Sequence, residues 1–151
     1  MRVRAASPDD ARALADGNVA MARETEGLAL DAEVTLAGVR AALVDPTLGR
    51  YFVAELDGEV VGQLMVTREW SDWRCGFYWW IQSVWVAPGH RGRGVYRALH
   101  ARVVAEAREA DVRSVRLYVE RANARAQAVY AAVGMEKSHY ELFELELPAS
   151  R

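Results

Sequence analysis

The segment from Ser83 to Leu99 constrains this chain more than any other. It reads as an apolar strand (Ser83, Val84, Trp85, Val86), a Pro88-Gly89 stop, a basic glycine turn (Arg91, Gly92, Arg93, Gly94) and a helix opening at Val95. A strand that feeds a helix through so short a turn belongs to a layered α/β architecture. The turn itself suits an anion. Glycines at 92 and 94 remove Cβ atoms, so backbone N–H groups can approach a phosphate and the chain can take positive φ. The helix that follows points its positive end at the same spot, and Arg91 and Arg93 add charge and planar donors.

Two familiar phosphate-loop patterns are absent. There is no G-x-x-x-x-G-K-[ST], and no G-x-G-x-x-G followed about 20 residues later by an acid. With 151 residues, the chain is expected to form one domain, 1–151, large enough for a substantial core. A formal charge of −2 argues against a broad polyanion-binding surface, so no nucleic-acid partner is expected. Cys75 stands alone, which excludes an internal disulfide and suits a reducing compartment. Met1 to Pro8 lacks a secretory apolar region, and no run approaches the ~18 apolar residues of a spanning helix. A cytoplasmic protein without a membrane partner is the expectation.

Helices and strands alternate along the chain without a linker, repeat or low-complexity tract. Arg2–Ala5 reads as a short strand. Ser7, Pro8, Asp9 and Asp10 form a helix start, and Ala11, Leu14, Ala15, Val19 and Ala22 recur at helical spacing up to Gly27. A second helix runs from about Ala32 to Val44 and ends at Asp45-Pro46. Tyr51–Leu56 and Glu59–Thr67 flank Asp57-Gly58, a hairpin signal. A strand from about Phe77 to Val86 follows a loop holding Trp70, Asp72, Trp73 and Arg74. Val95, Leu99, Val103 and Ala107 then give the helix after the glycine turn a sheet-facing side. Ser114–Val119 alternates as a strand, Asn123 to Val133 is helical with Gly134 as its stop, and His139–Leu147 reads as a final antiparallel edge strand.

Two of these segments carry a resemblance. Arg91-x-x-Gly94-x-Tyr96 is similar to the [Q/R]-x-x-G-x-[G/A] acyl-CoA loop of the GNAT N-acetyltransferase superfamily, departing from it at Tyr96. Asn123-x-x-Ala126-x-x-x-Tyr130-x-x-x-Gly134-Met135 resembles that family's N-x-x-A-x-x-x-Y-x-x-x-G-[FM] segment. The order of elements resembles the same fold over nearly the whole chain. The fold class this implies is α/β (α+β): a mixed central sheet flanked by helices.

The resemblance also implies a chemistry. Acetyl-CoA would be the co-substrate, with no metal, and a primary amine of a small molecule would attack it directly. The main chain of Arg91, Gly92, Arg93, Gly94, Val95 and Tyr96 would hold the pyrophosphate. A splayed strand at Val84, Trp85 and Val86 would offer N–H groups to pantetheine and the carbonyl oxygen. Asn123, besides capping its helix, would bond the CoA arm, and Tyr130 would protonate the departing thiolate. Asn123 and Tyr130 lie close to two helical turns apart on one face, with the small Ala126 between them. A phenol of pKa ~10 is a sensible acid for a thiolate of comparable basicity.

The base and the acceptor are less sharply marked. Many relatives carry a glutamate in the Phe77–Val86 strand, and this chain has none there. Glu69 is the first candidate for general base, followed by Asp72 and Glu120, with a water relay as the alternative. Glu24, Glu26, Trp70 and Asp72 are the candidate acceptor-binding residues, beside the aromatic run of Trp73, Tyr78, Trp79 and Trp80. Acids beside aromatics suit a cationic amine. Cys75 reads as a bystander. Other readings stay open: a non-catalytic acetyl-CoA-binding sensor or interaction module, a phosphate- or nucleotide-binding adaptor, or a protein N-terminal or lysine acetyltransferase. Either a monomer or a homodimer is compatible with the sequence.

Overall fold

Asp57 and Gly58 both take positive φ (52° and 84°), and this turn folds strand β2 (Arg50–Leu56) onto β3 (Glu59–Ser71). β4 (Gly76–Val86) runs antiparallel beside β3, β1 (Arg2–Ala5) pairs with the other edge of β2, and β5 (Ser114–Arg116) lies parallel to β4. The computed structural model, which describes residues 1–149, therefore holds one mixed sheet in the order β1-β2-β3-β4-β5. A mixed sheet flanked by helices is the expected class.

Successive β2 residues serve two cores, because side chains alternate across a strand. Phe52 and Ala54 join Leu64, Val66, Trp79 and Ile81 against helix α3 (Val95–Glu109), which contributes Val95, Tyr96, Leu99, Val103 and Ala107. Tyr51 and Val53 turn to the opposite face and meet α1 (Ala11–Glu26) and α2 (Ala32–Val44) through Leu14, Ala15, Leu36 and Val39. Helix α4 (Ala124–Ala132) follows β5. Local signals fix the helix ends. Asp31 accepts from the amides of Glu33 and Val34 at 2.9 and 3.0 Å, starting α2. Gly27, in the left-handed region with φ 64°, closes α1.

The C-terminal third departs from expectation. β5 stops at Arg116 instead of reaching Val119, and residues 139–147 form no strand at all. A strand exists only through its ladder. β4 offers β5 three partners (Tyr78 to Ser114, Trp79 to Val115, Trp80 to Arg116), after which the two diverge, and nothing within the described chain pairs with 139–147.

Candidate active site

The divergence of β4 and β5 is the centre of the site. β4 continues from Ile81 to Val86 along β3 while its other edge is left without a strand partner. Within this stretch the register slips. Gln82 faces Met65 and Trp85 faces Gln63, so Ser83 and Val84 together stand opposite Leu64, and Ser83 sits at φ 52°. This is a β-bulge, and it reverses the alternation of the strand. Before it Trp79 and Ile81 point into the α3 core; after it Val84 and Val86 do. The parity change is readable in the sequence, where odd-numbered inward residues give way to even-numbered ones.

The glycine turn lies at the end of this open edge. Gly92 and Gly94 adopt φ of 72° and 80°, and Gly94 is the N-cap of α3, with no side chain capping that helix. Among the described residues, no hydrogen-bond acceptor is placed for the amides of Gly92, Arg93, Gly94, Val95, Tyr96 and Arg97. A Cβ added at Gly92 or Gly94 would meet no atom within 4 Å, so the space above the turn is open. A row of unsatisfied N–H groups at a helix N-terminus, with room above it, fits a pyrophosphate. α3 can approach this closely because Gly62 of β3 lacks a side chain: a Cβ there would stand 2.5 Å from Val95 Cγ1.

Arg91 is already engaged. Its Nε donates to the Val86 carbonyl at 2.9 Å and its Nη2 to Glu24 Oε2 at 2.6 Å. It therefore staples the turn to the end of β4 and to the end of α1, while Arg93 stays exposed without a partner among the described residues. Through this pairing Glu24, a candidate acceptor residue, is tied to the glycine turn.

Tyr130 projects from α4 against the α3 core, the cluster that also receives Val84 and Val86. Its ring meets the Tyr96 ring edge-on, with centroids 5.4 Å apart. The Tyr96 side chain thus turns inward, 7% exposed, and leaves only its backbone amide toward the turn. That is how this chain accommodates a large residue where the motif it resembles has Gly or Ala. Burial pushes both phenols above the ordinary tyrosine range, and the neighbouring Tyr130 raises Tyr96 further. Asn123 caps α4: its Oδ1 accepts from the Ala126 amide at 3.0 Å, and its Nδ2 has no partner among the described residues.

Paired residues share a face of the sheet. Glu69 is opposite Tyr78 and Thr67 opposite Trp80, which place Glu69, Thr67, Tyr78, Trp80, Gln82 and Arg116 on the face away from α3. Arg116 stands where the two strands part. Its guanidinium lies 3.8 Å from the Tyr78 ring centroid, and its Nη1 is 3.9 Å from Glu69 Oε2. Among the described residues its guanidinium makes no hydrogen bond. Arg116 was not singled out from the sequence, although its position between Val115 and Leu117 marks it as the outward member of a strand.

The structure does not gather the proposed acceptor residues. Trp70 and Asp72 lie at the β3–β4 tip, where Trp70 pairs with Phe77. By strand rise that tip is roughly 30 Å from Val86. Asp72 accepts from the Trp73 amide, and Glu26 is exposed with no partner among the described residues. Glu69, opposite Tyr78, is about 20 Å along the strand from Val84. It does not touch the open edge directly. Gln82 and Thr67, hydrogen-bonded to each other, lie between it and the bulge. Cys75 is exposed in the same remote tip. Among the described residues, no three His, Cys, Asp or Glu side chains cluster as a metal site would require, and no helix is long and apolar enough to cross a membrane.

Comparison with known proteins follows the same geometry. The family model described as the acetyltransferase (GNAT) family matches residues 19–135. The chain is similar to the crystal structure of a possible acetyltransferase from Clostridium difficile 630, with 38% identity, 98% of each chain covered and a TM-score of 0.91. A predicted acetyltransferase from Clostridium acetobutylicum determined with acetyl-CoA shares the fold at 18% identity, covering 96% of this chain and 95% of that one, TM-score 0.78. An aminoglycoside acetyltransferase from an uncultured soil metagenomic sample does so at 21% identity, covering 99% and 98%, TM-score 0.74. The chain matches no curated protein sequence. With a forked β4–β5 edge, a row of free amides beyond it and a family match over most of its length, this chain belongs to the GNAT acetyltransferase family.

Proposed function

We propose that this protein transfers the acetyl group of acetyl-CoA to a primary amine of a small molecule by direct attack, with no covalent acyl-enzyme. The observation that carries this reading is the continuity of the open β4 edge with the six free amides of residues 92–97, beside Tyr130. Acetyl-CoA supplies the activated thioester. The amides of Gly92 to Arg97 bind its pyrophosphate, with Arg93 adding charge and Arg91 holding the turn in shape. Val84 and Val86 align the pantetheine arm by main-chain N–H groups, the Trp85 amide facing β3 as that of Ala87 does, and Asn123 Nδ2 adds a donor. Tyr130 gives its proton to the leaving thiolate; raised by burial, its phenol stays protonated throughout the neutral range. Glu69 takes the amine proton through water passing Thr67 and Gln82.

The acceptor enters on the face holding Glu69 and Arg116. Opposite charges at that fork favour a molecule carrying an acidic group beside its amine, in place of the purely cationic acceptor that the scattered acids suggested. An aminoglycoside acetyltransferase of the same fold supports the small-molecule class. The lone exposed Cys75 suits the cytoplasmic setting we propose.

Two measurements test the reading. CoA at 100 times its dissociation constant should stabilise the protein by about 2.7 kcal/mol, while ATP at the same concentration should not. Free thiol should then be released from acetyl-CoA only when an amine is added. Binding without release against a broad amine panel would make the protein a sensor, and stabilisation by ATP alone would make it a nucleotide adaptor.

A further inference from the structure

Three aromatic rings surround one cation where β4 and β5 part. The Arg116 guanidinium carbon lies 3.8 Å from the Tyr78 ring centroid, 5.9 Å from that of Tyr140 and 6.0 Å from that of Trp80. Tyr118 packs in turn on Trp80, with centroids 5.9 Å apart. Aromatic faces attract a guanidinium without using its N–H groups. The Arg116 side chain is 31% exposed. The one carboxylate it pairs with among the described residues, that of Glu69, stands at 3.9 Å, outside hydrogen-bond distance. The planar fork is thus held in place with its donors unspent. A carboxylate matches such a fork through two parallel hydrogen bonds.

The place of this fork along the cleft says more than its charge. Arg116 is the last β5 residue to pair, opposite Trp80, and its guanidinium leans over Tyr78, away from the bulge at Ser83 and Val84. By strand rise, Trp80 is roughly 13 Å from Val84 and Tyr78 roughly 20 Å. An α-amino acid, whose nitrogen and carboxylate oxygen are about 3 Å apart, cannot reach both. We infer that Arg116, held by these rings, gauges the length of the acceptor and selects elongated amines with a carboxylate at the far end. The separation is roughly 13 to 20 Å, the span of about four to six extended residues. This rests on the reading above, in which the amine meets the thioester beside Val84 and the acceptor carries an acid as well. It adds the distance between the two groups. The class is an unbranched chain of short-peptide length. The rings fix the gauge, because a stacked guanidinium does not swing toward the bulge as a free one would.

Oligoglycines of one to about eight residues supply the test, since they differ only in length and gain roughly 3.5 Å per residue. Their acetylation by the full chain, and their binding to the CoA-loaded protein by calorimetry, should both peak at about four to six residues. The peak should stand about tenfold or more above glycine and diglycine. The matched C-terminal amides should show no peak. Arg116→Gln should erase the peak for the acids. Tyr78→Phe, which keeps the closest ring, should retain it, and Tyr78→Leu, which frees the guanidinium, should broaden it toward shorter chains. A series without a peak, a peak at one or two residues, or one unmoved by Arg116→Gln would overturn the inference. If acids of every length bind better than amides and Arg116→Gln weakens all alike, the gauge falls and the charge reading stands. Equal use of acids and amides would end the charge reading as well. Binding is read apart from turnover, so failure of the enzymatic reading would be seen separately.

Discussion

The Tyr96 ring supports the Tyr130 ring edge-on across 5.4 Å, which ties the helix after the glycine turn to the helix carrying the candidate acid. The two outer ends of the proposed acetyl-CoA path are therefore one packed unit. The Tyr96 hydroxyl takes no part in the support: it is buried and has no hydrogen-bond partner among the described residues.

Tyr96→Phe and Tyr96→Ala should consequently behave as opposites. The phenylalanine keeps the ring and removes an unsatisfied polar group, so stability should hold or rise by up to about 1 kcal/mol. The alanine opens a cavity worth about 3 to 5 kcal/mol and frees Tyr130, so turnover should fall with stability. The wild type should also lose stability as pH rises past the ordinary tyrosine range near 10, because the unfolded phenols ionise there and the buried ones resist. Tyr96→Phe should flatten that alkaline slope in urea titrations. A steep slope unchanged in the variant would show that other groups set it.

Gly94, in the proposed pyrophosphate cradle, and Gly62, in β3 beneath the start of α3, should fail differently. Gly94 is at φ 80° over open space, so Gly94→Val strains the turn and fills the anion's place without crowding the core. CoA binding should drop tenfold or more at a cost of about 1 to 3 kcal/mol in stability. At Gly62 the added Cβ meets Val95 Cγ1 at 2.5 Å, so Gly62→Ala should displace α3 and destabilise the fold by about 1 to 3 kcal/mol, with CoA affinity following. Calorimetry of CoA binding beside melting curves separates the two. Unchanged affinity in Gly94→Val would remove the cradle assignment.

Acid should find the opposite end of the molecule. Asp10, nearly buried, accepts from Arg4 at 2.7 and 2.9 Å and from the Ser7 amide at 2.7 Å. Hydrogen bonds from Arg4, above all, hold its carboxyl below the usual range. A lowered folded pKa means stability that is complete above the unfolded carboxyl value near 4 and is lost as pH falls through the folded value. Asp10→Ala should cost about 2 to 3 kcal/mol at neutral pH, since it leaves Arg4 short of a partner, and should reduce the acid-side loss. Equal acid sensitivity in both proteins would contradict this.

Much of this architecture was legible from local chemistry. Asp57-Gly58, Gly27 and the helical spacing of α3 state their own geometry, because each depends on neighbours a few residues away. The glycine turn belongs to the same class. What escaped was set by pairing over long distances. Glu24 meets Arg91, 67 positions on, and no local pattern foretells that pair. Arg116 reached the fork because β5 is parallel to β4, a register that the sequence does not print. Residues 139–147 show a strand pattern that the isolated chain leaves unused, because pattern specifies a face and not the partner that covers it.

The proposed charge of the acceptor rests on Arg116. Arg116→Gln removes the cation at the fork and leaves the Gly92 to Arg97 amides untouched. For an amine bearing a carboxylate, KM should rise about tenfold or more, while CoA affinity stays constant. The matched amide or ester, which cannot pair with Arg116, should be a poor substrate for wild type and change little in the variant. A wild-type preference for polyamines over carboxylated amines would refute this assignment.

Tyr130→Phe separates chemistry from packing. The substitution keeps the ring against Tyr96 and deletes only the hydroxyl, so melting temperature and CoA affinity should barely move. If that hydroxyl protonates the leaving thiolate, its contribution is made in the transition state. Turnover and kcat/KM should then fall together by about 10²-fold, and the loss should shrink with acyl donors whose thiols are more acidic and need less help to leave. The pH profile adds a second check. Because burial pushes the phenol up, wild-type kcat should rise as the amine loses its proton and show no decline on Tyr130's account below about pH 10. A variant with wild-type turnover on its best amine would reduce Tyr130 to a packing residue and leave the protein a binder of acetyl-CoA.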